Sequence, residues 1–469
     1  MAIKNPLDLP EIREVLATFL TNHDLERCVR VSKGWHALFL PYLWSTIDIR
    51  PRCRKPPSSL ETMQRYSDHV RHLTYQGKAP EGYQSLQFPA LTTLHIHIHR
   101  KAKNQAIEMV GNHSSLIHLK LINNTFNKIK WIPPAGLSNL TSLSLTRIAV
   151  ELQDKNTAWN LLSKLETLEL SQSSISALPG SMMGSRRIRD LRLEVVTGLT
   201  PMEQLKWIEH CTYLKRLTWN ATYGSTSSLT EDIAQLAAAN TWPDLEEFHT
   251  SSFMATDRQA SLIINGMRHL LGFTIHFTQP FDLVKTALRP HFPWLKRLTN
   301  TRSCATNSGF AIEILKSCPR LEGLRMGPIQ VRDMLDDDAP WACESSLRYL
   351  GGGFNVDEST EEAGQRVLLE RLSRFRKLES LSLMCELPRS KSLDLRLESG
   401  LDQLATLTQL RVINVVHTDQ EMTMNEVEWI LKHWKNLRRF NGALHYNDAK
   451  SREMIARLCK AGISTERWG

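Results

Sequence analysis

Several motifs that would indicate catalysis are missing from this 469-residue sequence. It has no Gly-x-Ser-x-Gly elbow, no Walker loop, no Gly-x-Gly-x-x-Gly and no His-Glu-x-x-His. These motifs carry nucleophilic serines, phosphate binding, dinucleotide binding and catalytic zinc, respectively. The run Gly351-Gly352-Gly353 lacks the lysine of a phosphate loop and predicts a tight turn instead. We therefore expect a protein that is not an enzyme and that needs no cofactor.

The sequence also lacks closely spaced cysteines and long apolar runs. Its eight cysteines are scattered with no C-x-x-C pair, which favours free thiols in a reducing compartment, the cytoplasm or the nucleus. They are Cys28, Cys53, Cys211, Cys304, Cys318, Cys343, Cys385 and Cys459. No apolar run approaches the ~18 residues of a membrane span, and residues 1–6 show no signal-peptide core. We expect no membrane partner.

The net charge of +9 raises the question of nucleic-acid binding. The basic residues are dispersed, however, and their densest clusters are residues 50–55 and 186–189. A mildly basic surface without a recognised motif is usually only solvated. Nucleic-acid binding is therefore not expected, although a basic RNA-associated repeat protein stays open as an alternative.

The first forty residues predict a small helical unit with more apolar surface than it can bury. An amphipathic stripe at i, i+3, i+4, i+7 and i+8 predicts a first helix. The stripe consists of Ile12, Val15, Leu16, Phe19 and Leu20. Asp24 is placed to cap a second helix, predicted to run through Leu25 to Trp35. A unit of roughly 40 residues is too small to be stable alone, so we expect a partner.

This stretch resembles an F-box. The resemblance rests on Leu9-Pro10-Glu11-Ile12, on Asp24-Leu25, on Val31-Ser32-Lys33-Gly34-Trp35 and on the closing Leu43-Trp44. In that family the motif docks on a Skp-type adaptor, which bridges to a cullin-RING ubiquitin ligase. The resemblance implies an adaptor-facing surface and implies that Trp35 and Trp44 pack the F-box and its junction. The implied adaptor-binding residues are Leu9, Pro10, Ile12, Leu16, Leu20 and Leu25.

A Leu-x-x-Leu-x-Leu pattern recurs from about residue 70 to the end. Clear copies begin at Leu116, Leu140, Leu165 and Leu378. The second apolar position of each copy falls at 73, 94, 119, 143, 168, 191, 217, 248, 273, 298, 324, 350, 381, 413 and 440. Because the spacing is mostly 23 to 26 residues, the pattern is that of a leucine-rich repeat.

The predicted fold class is α/β. We expect a three-helix F-box followed by a curved leucine-rich-repeat solenoid, with a parallel sheet on its concave face and helices and loops on its convex face. The predicted domains are an F-box over residues 1–50, a linker and helix over 51–69, about 15 repeats over 70–447, and a capping helix and tail over 448–469.

The outward positions of the strands are the candidate target-binding residues, since solenoids usually bind partners on the concave sheet. The candidates are His95, His97, Lys120, Glu169, Arg192, Arg216, His249, His276, Arg297 and Arg325. Arg297 and Arg325 form a basic patch that could pair with acidic or phosphorylated side chains of a target.

The run His95-Ile96-His97-Ile98-His99 is the one metal-like spacing. Alternation along a strand places its three imidazoles on one face. Zinc needs three or four converging ligands, and alternate residues on a flat strand lie far apart for that. We therefore predict solvent-facing histidines and no metal site.

Three functional hypotheses follow from the sequence. The resemblance implies the substrate-recognition subunit of an SCF-type ubiquitin ligase, with a Skp-type adaptor and an unknown protein target as partners. A second hypothesis is a leucine-rich-repeat scaffold that acts outside any ligase. The third is the RNA-associated repeat protein.

Overall fold

A computed structural model of the chain describes residues 9–49, 59–77, 82–99, 103–125, 127–134, 136–151, 164–176, 187–221, 227–278, 280–300, 308–335, 339–356, 363–383, 393–418 and 420–466. These residues belong to two compact units, Met1–Leu214 and Lys215–Gly469. Of the predicted linker and helix over residues 51–69, residues 51–58 lie outside the described residues, and the predicted helix corresponds to Leu60–Arg65.

The first unit begins with three helices and continues as parallel strands. Its helices are α1 Pro10–Phe19, α2 Asn22–Cys28, α3 Lys33–Ser45, α4 Leu60–Arg65, α5 Lys103–Gly111 and α6 Pro201–His210. Its strands are β1 Thr46–Ile49, β2 His72–Gly77, β3 Thr93–Ile98, β4 His118–Asn123, β5 Ile129–Trp131, β6 Ser142–Thr146, β7 Ile148–Val150, β8 Thr167–Ser171, β9 Ser174–Ile175 and β10 Asp190–Glu194.

The second unit alternates strands and helices. Its strands are β11 Arg216–Asn220, β12 Glu247–Ala255, β13 Gly272–Phe277, β14 Arg297–Thr299, β15 Gly323–Arg325, β16 Ile329–Gln330, β17 Tyr349–Gly351, β18 Phe354–Asn355, β19 Ser380–Ser382, β20 Val412–Asn414, β21 Arg439–Asn441 and β22 Ser464–Glu466. Its helices are α7 Ser227–Ala238, α8 Asp257–Asn265, α9 Asp282–Leu288, α10 Ser308–Ser317, α11 Arg332–Leu335, α12 Ala363–Ser373, α13 Met424–His433 and α14 Asp448–Lys460.

The strand register confirms the repeat pattern in both units. In the first unit Leu73, Leu94, Leu119, Leu143, Leu168 and Leu191 are successive partners across a parallel sheet. The second unit has a row of its own, in which the successive partners are Leu217, Phe248, Phe273, Leu298, Leu324, Leu350, Leu381, Ile413 and Phe440. All these side chains are buried, since strand side chains alternate between two faces.

Two predicted elements differ from the structure. The predicted second helix is interrupted, because α2 ends at Cys28 and the Ser32 hydroxyl accepts a hydrogen bond from the Trp35 amide to begin α3. Thr21, rather than Asp24, is the N-cap of α2, and Asp24 completes a capping box. At the other end, the predicted capping helix is followed by β22, which pairs with β21.

Side chains reach between neighbouring repeats to satisfy backbone groups. The buried Asp257 carboxylate accepts hydrogen bonds from the amides of Leu283 and Val284 at 3.0 and 2.9 Å, at the start of α9. The buried Gln420 side chain accepts from the Leu395 amide and donates to the Leu393 carbonyl. Free amides at a helix start need such partners, so each repeat depends on the next for its hydrogen bonds.

His113 and His291 are buried imidazoles whose protonation opposes folding. The His113 ring accepts from the Phe88 amide at 3.2 Å and donates to the Met109 carbonyl at 2.7 Å. The His291 ring accepts from the Leu270 amide. Burial lowers the pKa of both groups. A protonated ring could not accept these amide hydrogen bonds.

We expect the unfolding temperature to fall as the pH drops below about 6.5, the ordinary histidine pKa, because the unfolded chain then binds protons that the folded chain excludes. Above that pH this contribution to stability is constant. The variant His113→Gln keeps one donor and one acceptor but does not titrate. Differential scanning calorimetry between pH 7.5 and pH 5.5 should therefore show a smaller decrease for the variant than for the wild type, and an equal decrease would contradict this role.

Candidate functional site

An exposed apolar surface on the N-terminal helices is the first candidate site. Along α1 and the segment before it, Leu9, Val15, Leu16 and Phe19 expose 44, 57, 37 and 80% of their surface. Val31, which follows α2, exposes 63%. Single exposed apolar residues are ordinary, but five within 23 residues form a group typical of an interaction site. We call Leu9, Val15, Leu16, Phe19 and Val31 the apolar patch.

The predicted adaptor-binding residues divide between surface and interior. Leu9 and Leu16 belong to the apolar patch, and Ile12 and Leu20 are half-buried. Pro10 occupies the first turn of α1. Leu25 is only 4% exposed, so it packs inside the helices and is not available to a partner in this structure. Val15, Phe19 and Val31 were not among the predicted residues, although Val15 and Phe19 lie on the predicted stripe.

The helical unit is joined firmly to the first strands of its own unit. Trp35 packs on the buried Phe39 with ring centroids 5.4 Å apart, and Trp44 stacks on Tyr66 at 4.6 Å. Directly after α3, strand β1 pairs in parallel with β2. These contacts agree with the packing roles predicted for Trp35 and Trp44.

The second candidate site is the face of each sheet opposite the buried leucines, which we call the open face. In the first unit one row of this face crosses five neighbouring strands, each residue lying opposite the next in the register. The row consists of His95, Lys120, Ser144, Glu169 and Arg192. Ser144 donates to Glu169 at 2.8 Å, and Arg192 pairs with both Glu169 and Glu194. This end of the row therefore forms an internal network.

The histidines of the first unit lie close to one another and to Lys120. The pKa of His95 is lowered mainly by burial and further by the nearby charges of Lys120, His97, His118 and His72. His95 is consequently harder to protonate than an ordinary histidine. Within the part of the chain that the structure describes, no group of three or more histidine, cysteine, aspartate or glutamate residues could hold a metal ion.

In the second unit a carboxylate connects three predicted residues. Glu247 accepts from Arg297 at 2.7 Å and from the His249 ring at 3.3 Å, and it lies directly opposite Arg216 in the register. The hydrogen bond from His249 and the charge of Arg297 hold the pKa of Glu247 below its usual range, against the effect of burial. The charge of Arg297 is thus already compensated within the chain.

His276 lies at an open-face position, as predicted, but its side chain is covered there. Strand β12 contains a bulge between His249 and Met254, and the His276 ring donates to the Ser251 carbonyl of that bulge at 2.7 Å. The ring is only 8% exposed. The bulge adds residues to one strand and covers its neighbour's side chain, which strand alternation alone cannot predict. His276 is therefore not available to a partner.

Arg325 remains exposed and is one of the residues that line a groove that sequence reasoning missed. The groove holds about 410 Å³ and is lined by residues from β12 to β21. Its floor contains small residues, Gly323, Gly351, Ser380 and Ser382. The only sequence signal for it was the run of small residues at the outward positions of three successive repeats.

The sequence matches no family model and no curated protein. Three solved structures of leucine-rich-repeat proteins are similar to it at low identity. The LRR protein LIC12759 of Leptospira interrogans has 16% identity and a TM-score of 0.33, covering 92% of this chain and 97% of that chain. An internalin of Listeria monocytogenes has 14% identity and a TM-score of 0.31, covering 86% of this chain and 88% of that chain. TLR13, solved in a complex with single-stranded RNA, has 15% identity and a TM-score of 0.33, covering 81% of this chain and 59% of that chain.

Identities and TM-scores this low carry no information about function. The repeat assignment rests on the strand register, in which the recurring apolar position is buried and aligned within each unit. In the part of the chain that the structure describes, no helix is long and apolar enough to cross a membrane. By its repeat period, its parallel strands and its buried leucine rows, the chain has the repeating α/β architecture of a leucine-rich-repeat fold.

Proposed function

We propose that this chain is the substrate-recognition subunit of an SCF-type cullin-RING ubiquitin ligase. Helices α1 to α3 dock on a Skp-type adaptor, and the open faces of the repeats bind the target protein. The chain itself does no chemistry; it holds the target where other subunits deliver ubiquitin, so its contribution is proximity. A subunit of this kind would work in the cytoplasm or the nucleus.

The observation that carries the proposal is the apolar patch, which includes Leu9 of the Leu9-Pro10-Glu11-Ile12 motif. Phe19 exposes 80% of its surface and Val15 57% at one face of α1, while the helices bury Leu25 and Phe39. Fully covering a valine and a phenylalanine contributes about 1.5–3 kcal/mol each. A surface of this kind favours a stable protein partner over exposure to water.

The double variant Val15→Asp/Phe19→Asp should lose the adaptor. Placing two carboxylates in an apolar interface removes the favourable free energy of burying the two apolar side chains and adds the cost of desolvating two charges. We therefore expect binding to weaken by at least about 100-fold. Affinity purification of the tagged full-length chain, followed by quantification of co-purified Skp-type adaptor, measures the effect.

A matched control is Tyr213→Asp/Tyr446→Asp, which introduces the same charge at residues that are 57 and 77% exposed. The control should retain the adaptor at the wild-type amount. Equal adaptor recovery with all three proteins, or none with the wild type, would refute the ligase assignment and leave the repeat scaffold as the remaining hypothesis.

A further inference from the structure

The groove of the second unit exists because the residues on its floor have small side chains or none. Its lining comes from eight neighbouring strands, with Gly323 and Gly351 on β15 and β17 and two serines on β19. A Cβ atom built on Gly351 would lie 3.4 Å from Cγ of Arg325. The Arg325 stem therefore lies flat against Gly351, across the floor of the groove.

The two groove arginines differ in their electrostatic surroundings. Arg297 is 2.7 Å from the Glu247 carboxylate, which compensates its charge. Arg325 is exposed, and no described carboxylate lies within 4.0 Å of it. None of the residues that line the groove is acidic. The groove thus offers one uncompensated guanidinium, a group that prefers carboxylate or phosphate oxygens.

The part of the groove between Arg297 and Asn441 has a length that fits an extended chain. From Arg297 on β14 to Asn441 on β21 the register crosses five strand spacings, which is about 24 Å at ~4.8 Å each. An extended peptide of about seven residues covers that length at ~3.3 Å per residue.

We propose that this groove binds an extended anionic peptide segment of the target protein, with an acidic side chain of that segment on Arg325. The inference rests on the proposed function, because it names the class of target that the repeats would recognise. Arg325 supplies the charge, and the small residues of β15, β17 and β19 admit the peptide backbone.

The test is a selection of displayed random peptides of about eight residues on the immobilised full-length chain, followed by sequencing and by fluorescence polarisation of the enriched peptides. The wild type should enrich sequences that contain aspartate or glutamate. Arg325→Glu should weaken binding of an enriched peptide at least tenfold, about 1.4 kcal/mol. The uncharged Ser382→Phe, which fills the groove floor, should weaken it as well.

The matched control is Arg452→Glu, at another exposed arginine, which lies on α14 outside the groove, and it should bind the peptide like the wild type. Replacing the enriched carboxylates by phosphoserine distinguishes the source of the charge. Tighter binding identifies a phosphorylated segment, weaker binding an intrinsically acidic one, and either supports an anion on Arg325.

No acidic enrichment, or equal binding by Arg325→Glu, would overturn the inference. Circular dichroism of each variant shows that loss of binding is not loss of folding. The outcome is independent of the adaptor experiment. Adaptor binding without peptide selection refutes only the groove assignment, whereas acidic peptide binding without an adaptor refutes the ligase assignment and retains the groove.

Discussion

Gly352→Ala should unfold the second unit at a much lower denaturant concentration than the wild type. Gly352 has a φ of +116°, and a Cβ atom there would lie 1.6 Å from the backbone oxygen of Met326 in the preceding repeat. The left-handed strain alone amounts to about 1–2 kcal/mol, and a backbone clash this close forces the two repeats apart. We expect a loss of at least about 3 kcal/mol in the free energy of unfolding.

Gly309→Ala is the matched control for this substitution. Gly309 lies in α10 of the same unit, and its added Cβ atom would meet nothing within 4 Å. Alanine in a helix is more favourable than glycine by about 0.5–1 kcal/mol, so this variant should be slightly more stable. Urea unfolding followed by far-UV circular dichroism compares the three proteins. Similar midpoints for both variants would contradict the close approach at Gly352.

Trp434→Ala should lower the free energy of unfolding by a comparable amount, because it removes a buried side chain from the core. The indole is 1% exposed, its Nε1–H donates to the Leu404 carbonyl at 3.1 Å, and Trp429 meets it edge-on at 5.5 Å. Truncating a buried tryptophan typically reduces stability by about 3–5 kcal/mol. The lost hydrogen bond, which joins α13 to the repeat before it, contributes about 1 kcal/mol of that loss.

The control for this prediction is Trp294→Ala, because Trp294 is 42% exposed in the same unit. Its removal leaves a smaller cavity, and we expect a loss below about 2 kcal/mol. Thermal unfolding measured by scanning calorimetry gives the comparison. If the two variants melt at the same temperature, the Trp434 indole does not join the repeats in the way described.

The register of the sheet could be predicted from the sequence because burial enforces it. A strand shifted by one residue would place Leu119 or Leu168 on the open face and a polar residue in the core. The apolar spacing therefore determined every predicted strand pairing within each unit, down to the degenerate copies at Phe248 and Phe440.

Elements that do not depend on apolar burial escaped prediction. Strand β22 reads Ser464-Thr465-Glu466 and has no apolar alternation, and backbone pairing with β21 alone makes it a strand. The helix break at Ser32 depends on one capping hydroxyl within an otherwise continuous apolar pattern. The bulge that buries His276 is likewise a local change of backbone conformation, which the apolar pattern does not predict.

The distinction between Arg297 and Arg325 also required the structure. Both occupy outward positions of successive repeats, and the sequence shows two equivalent cations. Glu247, fifty residues before Arg297 in the chain, compensates one of them across two strand spacings. Such a pairing depends on which strands are neighbours and on how far a side chain reaches. The repeat period predicts which strands are neighbours, but it does not predict the reach of a side chain.

The central claim is that the apolar patch binds a Skp-type adaptor, and calorimetric titration of the full-length chain with the purified adaptor tests it most directly. The account predicts a one-to-one complex with a Kd below about 1 µM and a negative heat-capacity change, the mark of apolar burial. It also predicts no measurable heat for Val15→Asp/Phe19→Asp. No binding by the folded wild-type chain, or equal binding by that variant, would contradict it.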